Sequence, residues 1–234
     1  MKLLPVGAAL LVVASACAPA APASQPTPTV TAAPLAATPT PSGRGGILDQ
    51  ARRFVFRARN PACLATGTAF AFDGTVITNR HVAAGTSTLQ LATWSGTDFN
   101  ATVDGHSPAF DLARLTASTP AGTVAPAAGT PSPAPGTPVY VAGYPEGDQL
   151  TVTAGTVTGV TTAPELDVSG PVLEISDAVQ PGNSGSPVLD GTGRVVAVVF
   201  ALDTASGHGL AMPLSTLQGF LASSPDATAL PCVS

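Results

Sequence analysis

The sequence predicts an all-β protein whose strands gather into two barrels, and three observations lead there. Short β-prone runs recur along most of the 234-residue chain, separated by clusters of Gly, Pro, Asp and Thr. A Pro-, Ala- and Gly-rich stretch at 117–137 divides those runs into two comparable sets. Only one segment, Leu214 to Leu221, reads as a helix, a short C-terminal one that Pro213 is placed to start.

Taken in order, Ala51 to Arg59 sets Arg53, Val55 and Arg57 in alternation with Phe54 and Phe56. That alternation fits a first barrel strand, or a short lead-in, with one solvated face. Runs at 67–72, 75–79, 88–94, 99–104 and 111–116 complete the first set. Runs at 137–142, 150–160, 171–176, 187–190, 194–201 and 208–212 form the second. The expected layout is therefore a first barrel over about 47–118, a linker over about 119–136 and a second barrel over about 137–234.

The amino terminus addresses location. Lys2, then Leu3-Leu4 and the apolar stretch Val6 to Val13, ending in Ala14-Ser15-Ala16-Cys17, reads as a signal peptide over residues 1–16 of an exported protein. Two cleavages fit. Small residues before Cys17 suit an ordinary signal peptidase, and a small residue directly before cysteine equally suits lipoprotein processing. In the second case a lipid on Cys17 holds the mature chain on the outer side of the cytoplasmic membrane; in the first the chain is secreted. Residues 17–46 are rich in Ala, Pro and Thr and nearly uncharged, a composition that buries too little apolar side chain to offset ordering entropy, so a disordered tether is expected.

Charge excludes one class of partner. Four of the nine basic residues fall within Ala51–Arg59, yet the chain as a whole carries a net charge of −5 and a sequence pI near 4.9. Nucleic-acid binding does not fit that balance. Metal binding does not either: three scattered histidines and no cysteine pair at ligand spacing supply no metal set, and His106 and His208 read as structural or surface residues.

Three fragments carry chemistry: Thr78-Asn79-Arg80-His81, Asp111-Leu112-Ala113-Arg114-Leu115 and Gly182-Asn183-Ser184-Gly185-Ser186-Pro187. A serine hydroxyl is a weak nucleophile at neutral pH. It needs an imidazole to take its proton and a buried carboxylate to hold that imidazole in one tautomer, roles open to Ser184, His81 and Asp111. Asp104 competes as the carboxylate, being nearer to His81 in sequence. Asp111 is preferred because the apolar Leu112, Ala113 and Leu115 suggest a strand able to bury it, whereas Asp104 stands beside Gly105 in an expected turn. Gly182 and Gly185 permit a tight turn that brings the backbone amides of Gly182 and Ser184 inward as an oxyanion hole.

These fragments, with Thr66-Gly67-Thr68-Ala69-Phe70 before them and Gly207-His208-Gly209-Leu210-Ala211-Met212-Pro213 after, resemble the trypsin-like serine proteases. The likeness is to their bacterial branch, the HtrA-type and actinobacterial membrane-anchored acid-resistance proteases, and covers roughly residues 62–222. The His, Asp, Ser order along the chain is that family's order. The resemblance implies two antiparallel six-stranded β-barrels of chymotrypsin-like fold with the site between them, and a serine endopeptidase acting on protein or peptide substrates without cofactor or metal. The length suffices for two small barrels but not for an added PDZ domain, and a monomer is expected. Two departures stand out: Ser186 occupies the second glycine position after the nucleophile, and Asn183 replaces the aspartate of trypsin itself, which argues against activation by a newly cut N-terminus.

The resemblance also implies a specificity pocket with Ala178 at its floor and Phe200, Ala201 and Leu202 along its wall, favouring an apolar or small residue before the cleaved bond. A one-residue shift of that alignment places Asp177 there instead. It implies a pairing as well: if Cys17 carries lipid, Cys63 and Cys232 remain, and the actinobacterial relative has a disulfide similarly joining the start and end of its domain. The alternative function is a catalytically silent or gated protease-fold module that binds extended peptides at the cell envelope.

Overall fold

The computed structural model describes residues 43–176 and 179–232. The signal peptide, Cys17, nearly all of the tether, Asp177 and Ala178 lie outside the described residues.

Twelve strands close into two antiparallel barrels. The first contains β1 (Val55–Asn60), β2 (Ala65–Phe72), β3 (Thr75–Thr78), β4 (Thr88–Ala92), β5 (Asp98–His106) and β6 (Ala113–Thr116), hydrogen-bonded in the circular order β1-β2-β3-β6-β5-β4. The second contains β7 (Pro138–Gly143), β8 (Thr151–Thr161), β9 (Val172–Ile175), β10 (Pro187–Leu189), β11 (Val195–Leu202) and β12 (Gly209–Pro213) in the order β10-β11-β12-β9-β8-β7. Counted from its own first strand, each barrel thus follows the same path, and residues 117–137 lie between the two sets.

Period-2 alternation builds the barrel interiors. In β4, Leu89 and Leu91 are buried while Thr88 and Gln90 are exposed, and Phe56 meets Phe99 edge to face with ring centroids 5.0 Å apart. Strand β11 is different: Val195 through Phe200 are all buried. Val196, Ala197 and Val199 fill the second barrel with Val139, Val141 and Ile175, whereas Val198 and Phe200 join the larger core that continues into the first barrel. A continuous apolar run is the signature of a strand covered on both faces.

The same cover corrects the reading of the first strand. Val55 and Arg57 do not line a solvated face: Val55 is fully buried and Arg57 donates to the carbonyl of Gly147 in the second barrel at 3.3 Å. The other barrel covers only part of that side, since Arg53 and Arg59 remain exposed.

Three helices complete the described residues. α1 (Gly43–Ala51) takes up the last four residues of the stretch that composition assigns to the tether. Its glycines conceal a helix held by burial of Ile47 and Ala51, one turn apart, and it packs against β7 and β8 of the second barrel. α2 (Arg80–Ala83) is a single turn directly after β3. α3 (Leu214–Leu221) follows Pro213 as expected and buries Leu214, Leu217 and Phe220 at helical spacing. The linker is also tied down: Gly129 N–H donates to Val195 O at 2.8 Å and Val195 N–H to Ala127 O at 3.0 Å. After α3 the chain returns to the first barrel, where Asp226 bridges His106 and Gly85 N–H donates to Leu230 O at 2.8 Å.

Candidate active site

β3 delivers the histidine. The strand ends at Thr78, Asn79 leaves the ladder, and one helical turn sets His81 beside Asp111, which lies two residues before β6. The Asp111 carboxylate is used twice: Oδ1 accepts the His81 backbone N–H at 3.0 Å, and Oδ2 lies 2.6 Å from His81 Nδ1. Asn79 Nδ2 donates to the Asp111 carbonyl at 2.7 Å, so the backbone that carries the carboxylate is held as well. Asp111 is buried and the His81 ring half-exposed. A carboxylate accepting at Nδ1 keeps the proton on that nitrogen and leaves Nε2 with its lone pair.

Asp104 is elsewhere. It lies within β5, not in a turn, where it accepts from Thr116 Oγ1 at 2.8 Å and sits 3.7 Å from Arg114 Nε. His106 is buried, its Nε2 3.1 Å from Thr228 O, and so pins the returning C-terminal segment. His208 Nδ1 is 3.4 Å from Thr158 Oγ1.

Ser184 stands half-buried in a turn fastened by Asn183 N–H to Gln180 O, Ser186 N–H to Asn183 O and Gly185 N–H to Val199 O, at 3.0, 2.9 and 2.9 Å. Gly182 and Gly185 have φ of +90° and +85°. A Cβ at Gly182 would collide with Tyr144 O, and one at Gly185 with Thr68 O. Glycine is therefore required here by close backbone packing as well as by conformation. Among the described residues no group accepts from the amides of Gly182 or Ser184, and no hydrogen bond joins Ser184 Oγ to the His81 ring.

A groove of about 710 Å³ runs past the histidine. Phe200 and Ala201 line it together with His81 and Asp111. Leu202, at the end of β11, is 41% exposed and outside that lining. Two distant segments that the sequence does not point to supply further walls: Leu166, from the turn between β8 and β9, and Leu230, from the C-terminal segment. The first is drawn over by Asp167, 3.6 Å from Arg80, and by Ser169 N–H, which donates to Ala109 O at 2.9 Å.

The second segment is fixed covalently. Cys63 and Cys232 form a disulfide across 169 positions, and Gly85, at φ +71°, packs against both sulfurs. Beneath the turn, Tyr144 is buried with its hydroxyl unpartnered among the described residues; burial pushes its pKa up to about 12 against a smaller opposing pull from Arg57.

Two closed six-stranded barrels make this a chymotrypsin-like fold. HtrA-type protease AlgW with a tripeptide superposes with a TM-score of 0.70 at 24% identity, over 76% of this chain and 62% of that one. The active form of the Rv3671c protease from M. tuberculosis gives 0.69 at 25% identity, over 86% of this chain and 99% of that one. Residues 65–198, more than half of the chain, match the trypsin-like peptidase domain family, and the chain belongs to that family. It is similar to the chloroplastic Protease Do-like 1 of Arabidopsis thaliana, 30% identical over 67% of this chain, and to the serine protease Do-like HtrA of Bacillus subtilis strain 168, 34% identical over 61%. The matches take in 38% and 34% of those relatives, so the chain spans little more than a third of their length.

Proposed function

We propose that the chain is an exported serine endopeptidase that cleaves peptide bonds through an acyl-enzyme. The observation that carries this reading is the double grip of Asp111 on His81, through its backbone amide and Nδ1, in a chain whose serine sits on a glycine turn. Ser184 Oγ attacks the peptide carbonyl and passes its proton to His81 Nε2, and Asp111 stabilises the imidazolium. The amides of Gly182 and Ser184 hold the oxyanion, His81 protonates the leaving amine, and water then releases the acyl group by the reverse sequence. No cofactor or metal takes part. Phe200 and Ala201, with Ala178, favour an apolar or small residue before the cleaved bond.

The remaining assignments complete this reading: a signal peptide over 1–16, export with lipid attachment at Cys17 or simple release, a tether that carries the domain away from the membrane, and a monomer. Among the described residues no helix is long and apolar enough to cross a membrane. A tagged fluorophosphonate tests the central claim, with labelling expected for wild type and not for Ser184→Ala. Silence of both across a pH series would overturn it. That silence would favour the second reading, a catalytically silent or gated peptide-binding module.

A further inference from the structure

Thr68 is fully buried in β2, and every polar atom it has is engaged with the turn or its supports. Its N–H donates to Ser184 O at 2.8 Å, and its hydroxyl donates to Gly182 O at 3.0 Å while accepting from Tyr144 N–H at 3.1 Å. Its carbonyl accepts from Thr78 Oγ1 at 2.7 Å. The position is open to these partners because pairing with β3 extends only from Phe70 to Phe72, and the chain leaves that strand after Thr78 to form α2.

The consequence concerns the direction in which two amides point. Thr68 fixes the Gly182–Asn183 and Ser184–Gly185 peptide planes through their carbonyls. Two residues beyond Tyr144, Glu146 N–H donates to Pro181 O at 2.7 Å and fixes the preceding plane, that of the Gly182 amide. One hydroxyl thus joins the segment that holds Pro181 to the turn that carries Ser184. Thr78, on the other side, leads within three residues to His81.

We propose that Thr68 is a positioning residue that sets the oxyanion turn and registers it against the histidine strand, so that removing its hydroxyl slows the chemical step with little effect on substrate binding. This rests on the proteolytic reading above. A valine of the same shape keeps the packing and leaves Gly182 O and Tyr144 N–H unpaired, whereas a serine keeps the hydroxyl.

The test is steady-state hydrolysis of a peptide substrate by wild type, Thr68→Val and Thr68→Ser, each normalised to the active-site fraction titrated with fluorophosphonate. For Thr68→Val, kcat should fall on the order of 10- to 100-fold, less than or comparable to loss of a direct oxyanion donor, with KM within about threefold. The acid limb of the pH profile should stay in place because the His81–Asp111 pair is untouched, and Thr68→Ser should recover activity to within about threefold of wild type. A wild type that hydrolyses peptides alongside an equally fast Thr68→Val would overturn the positioning role alone. A wild type that neither labels nor hydrolyses would overturn the protease reading beneath it. If Thr68→Val does not fold, Thr68→Ala and Thr68→Ser carry the same comparison: both lose the methyl and only serine keeps the hydroxyl, so equal kcat values would overturn the role.

Discussion

Asp111 holds His81 at two points, the backbone N–H at 3.0 Å and Nδ1 at 2.6 Å, so one buried carboxylate fixes both the position of the histidine and the tautomer of its ring. An asparagine at 111 keeps the size and loses that selectivity, because its amide nitrogen can donate where the carboxylate only accepts. For Asp111→Asn, kcat is expected to fall by roughly 10³ to 10⁴ with KM little changed. Steady-state kinetics on the folded variant checks this, and a loss under tenfold would remove Asp111 from the mechanism.

Gly182→Ala and Gly185→Ala each place a Cβ against a backbone oxygen, of Tyr144 or Thr68, at positive φ. Neither oxygen has room to yield without moving a barrel strand or the turn against it. Each variant should lose about 1 to 3 kcal/mol of stability and at least about 100-fold in kcat/KM. Denaturant melts and hydrolysis assays read the two effects separately; an active, equally stable Gly185→Ala would contradict the packing argument.

Reduction should weaken the fold. A crosslink spanning 169 positions removes loop entropy from the unfolded chain worth up to about 5 kcal/mol. Paired Cys63→Ser and Cys232→Ser substitutions, or added dithiothreitol, should lower the denaturation midpoint by a matching amount. A midpoint unchanged by reductant would mean that the bond contributes little.

Tyr144 predicts a shape for the alkaline limb of stability. Its pKa is about 12 in the folded protein against 10.0 for the free group, because burial penalises the phenolate. Between those values the unfolded chain has lost the proton and the folded one retains it, so stability falls as pH rises from 10 towards 12 and is unaffected below 10. The loss is on the order of 2 kcal/mol. Tyr144→Phe should flatten that limb and leave stability near neutral pH equal or slightly higher, since it removes a buried hydroxyl that has no partner among the described residues. Chemical denaturation from pH 9 to pH 12 distinguishes the two proteins.

Strands β4, β8 and β12 were legible because their own residues carry the pattern, and Gly182 and Gly185 were legible because a sharp turn selects glycine locally. α1 was not: Gly43, Gly45 and Gly46 are poor helix formers, and the helix exists because Ile47 and Ala51 find the second barrel. Likewise the alternation around Val55 does not reveal its burial, because a strand's own pattern does not show how much of each face another barrel will cover.

The sequence alone determined the two sets of strands, the C-terminal helix and the residue types able to do acyl-transfer chemistry, since each follows from local pattern and side-chain character. The tertiary structure decided which aspartate meets His81, sending Asp104 to Arg114 and Thr116, and joined Cys63 to Cys232. It also brought Leu166 and Leu230 to the groove and made Thr68 the junction of turn and strand. Those outcomes depend on pairings between residues tens to more than a hundred positions apart, and such distances are set by barrel closure, not by any segment's own composition.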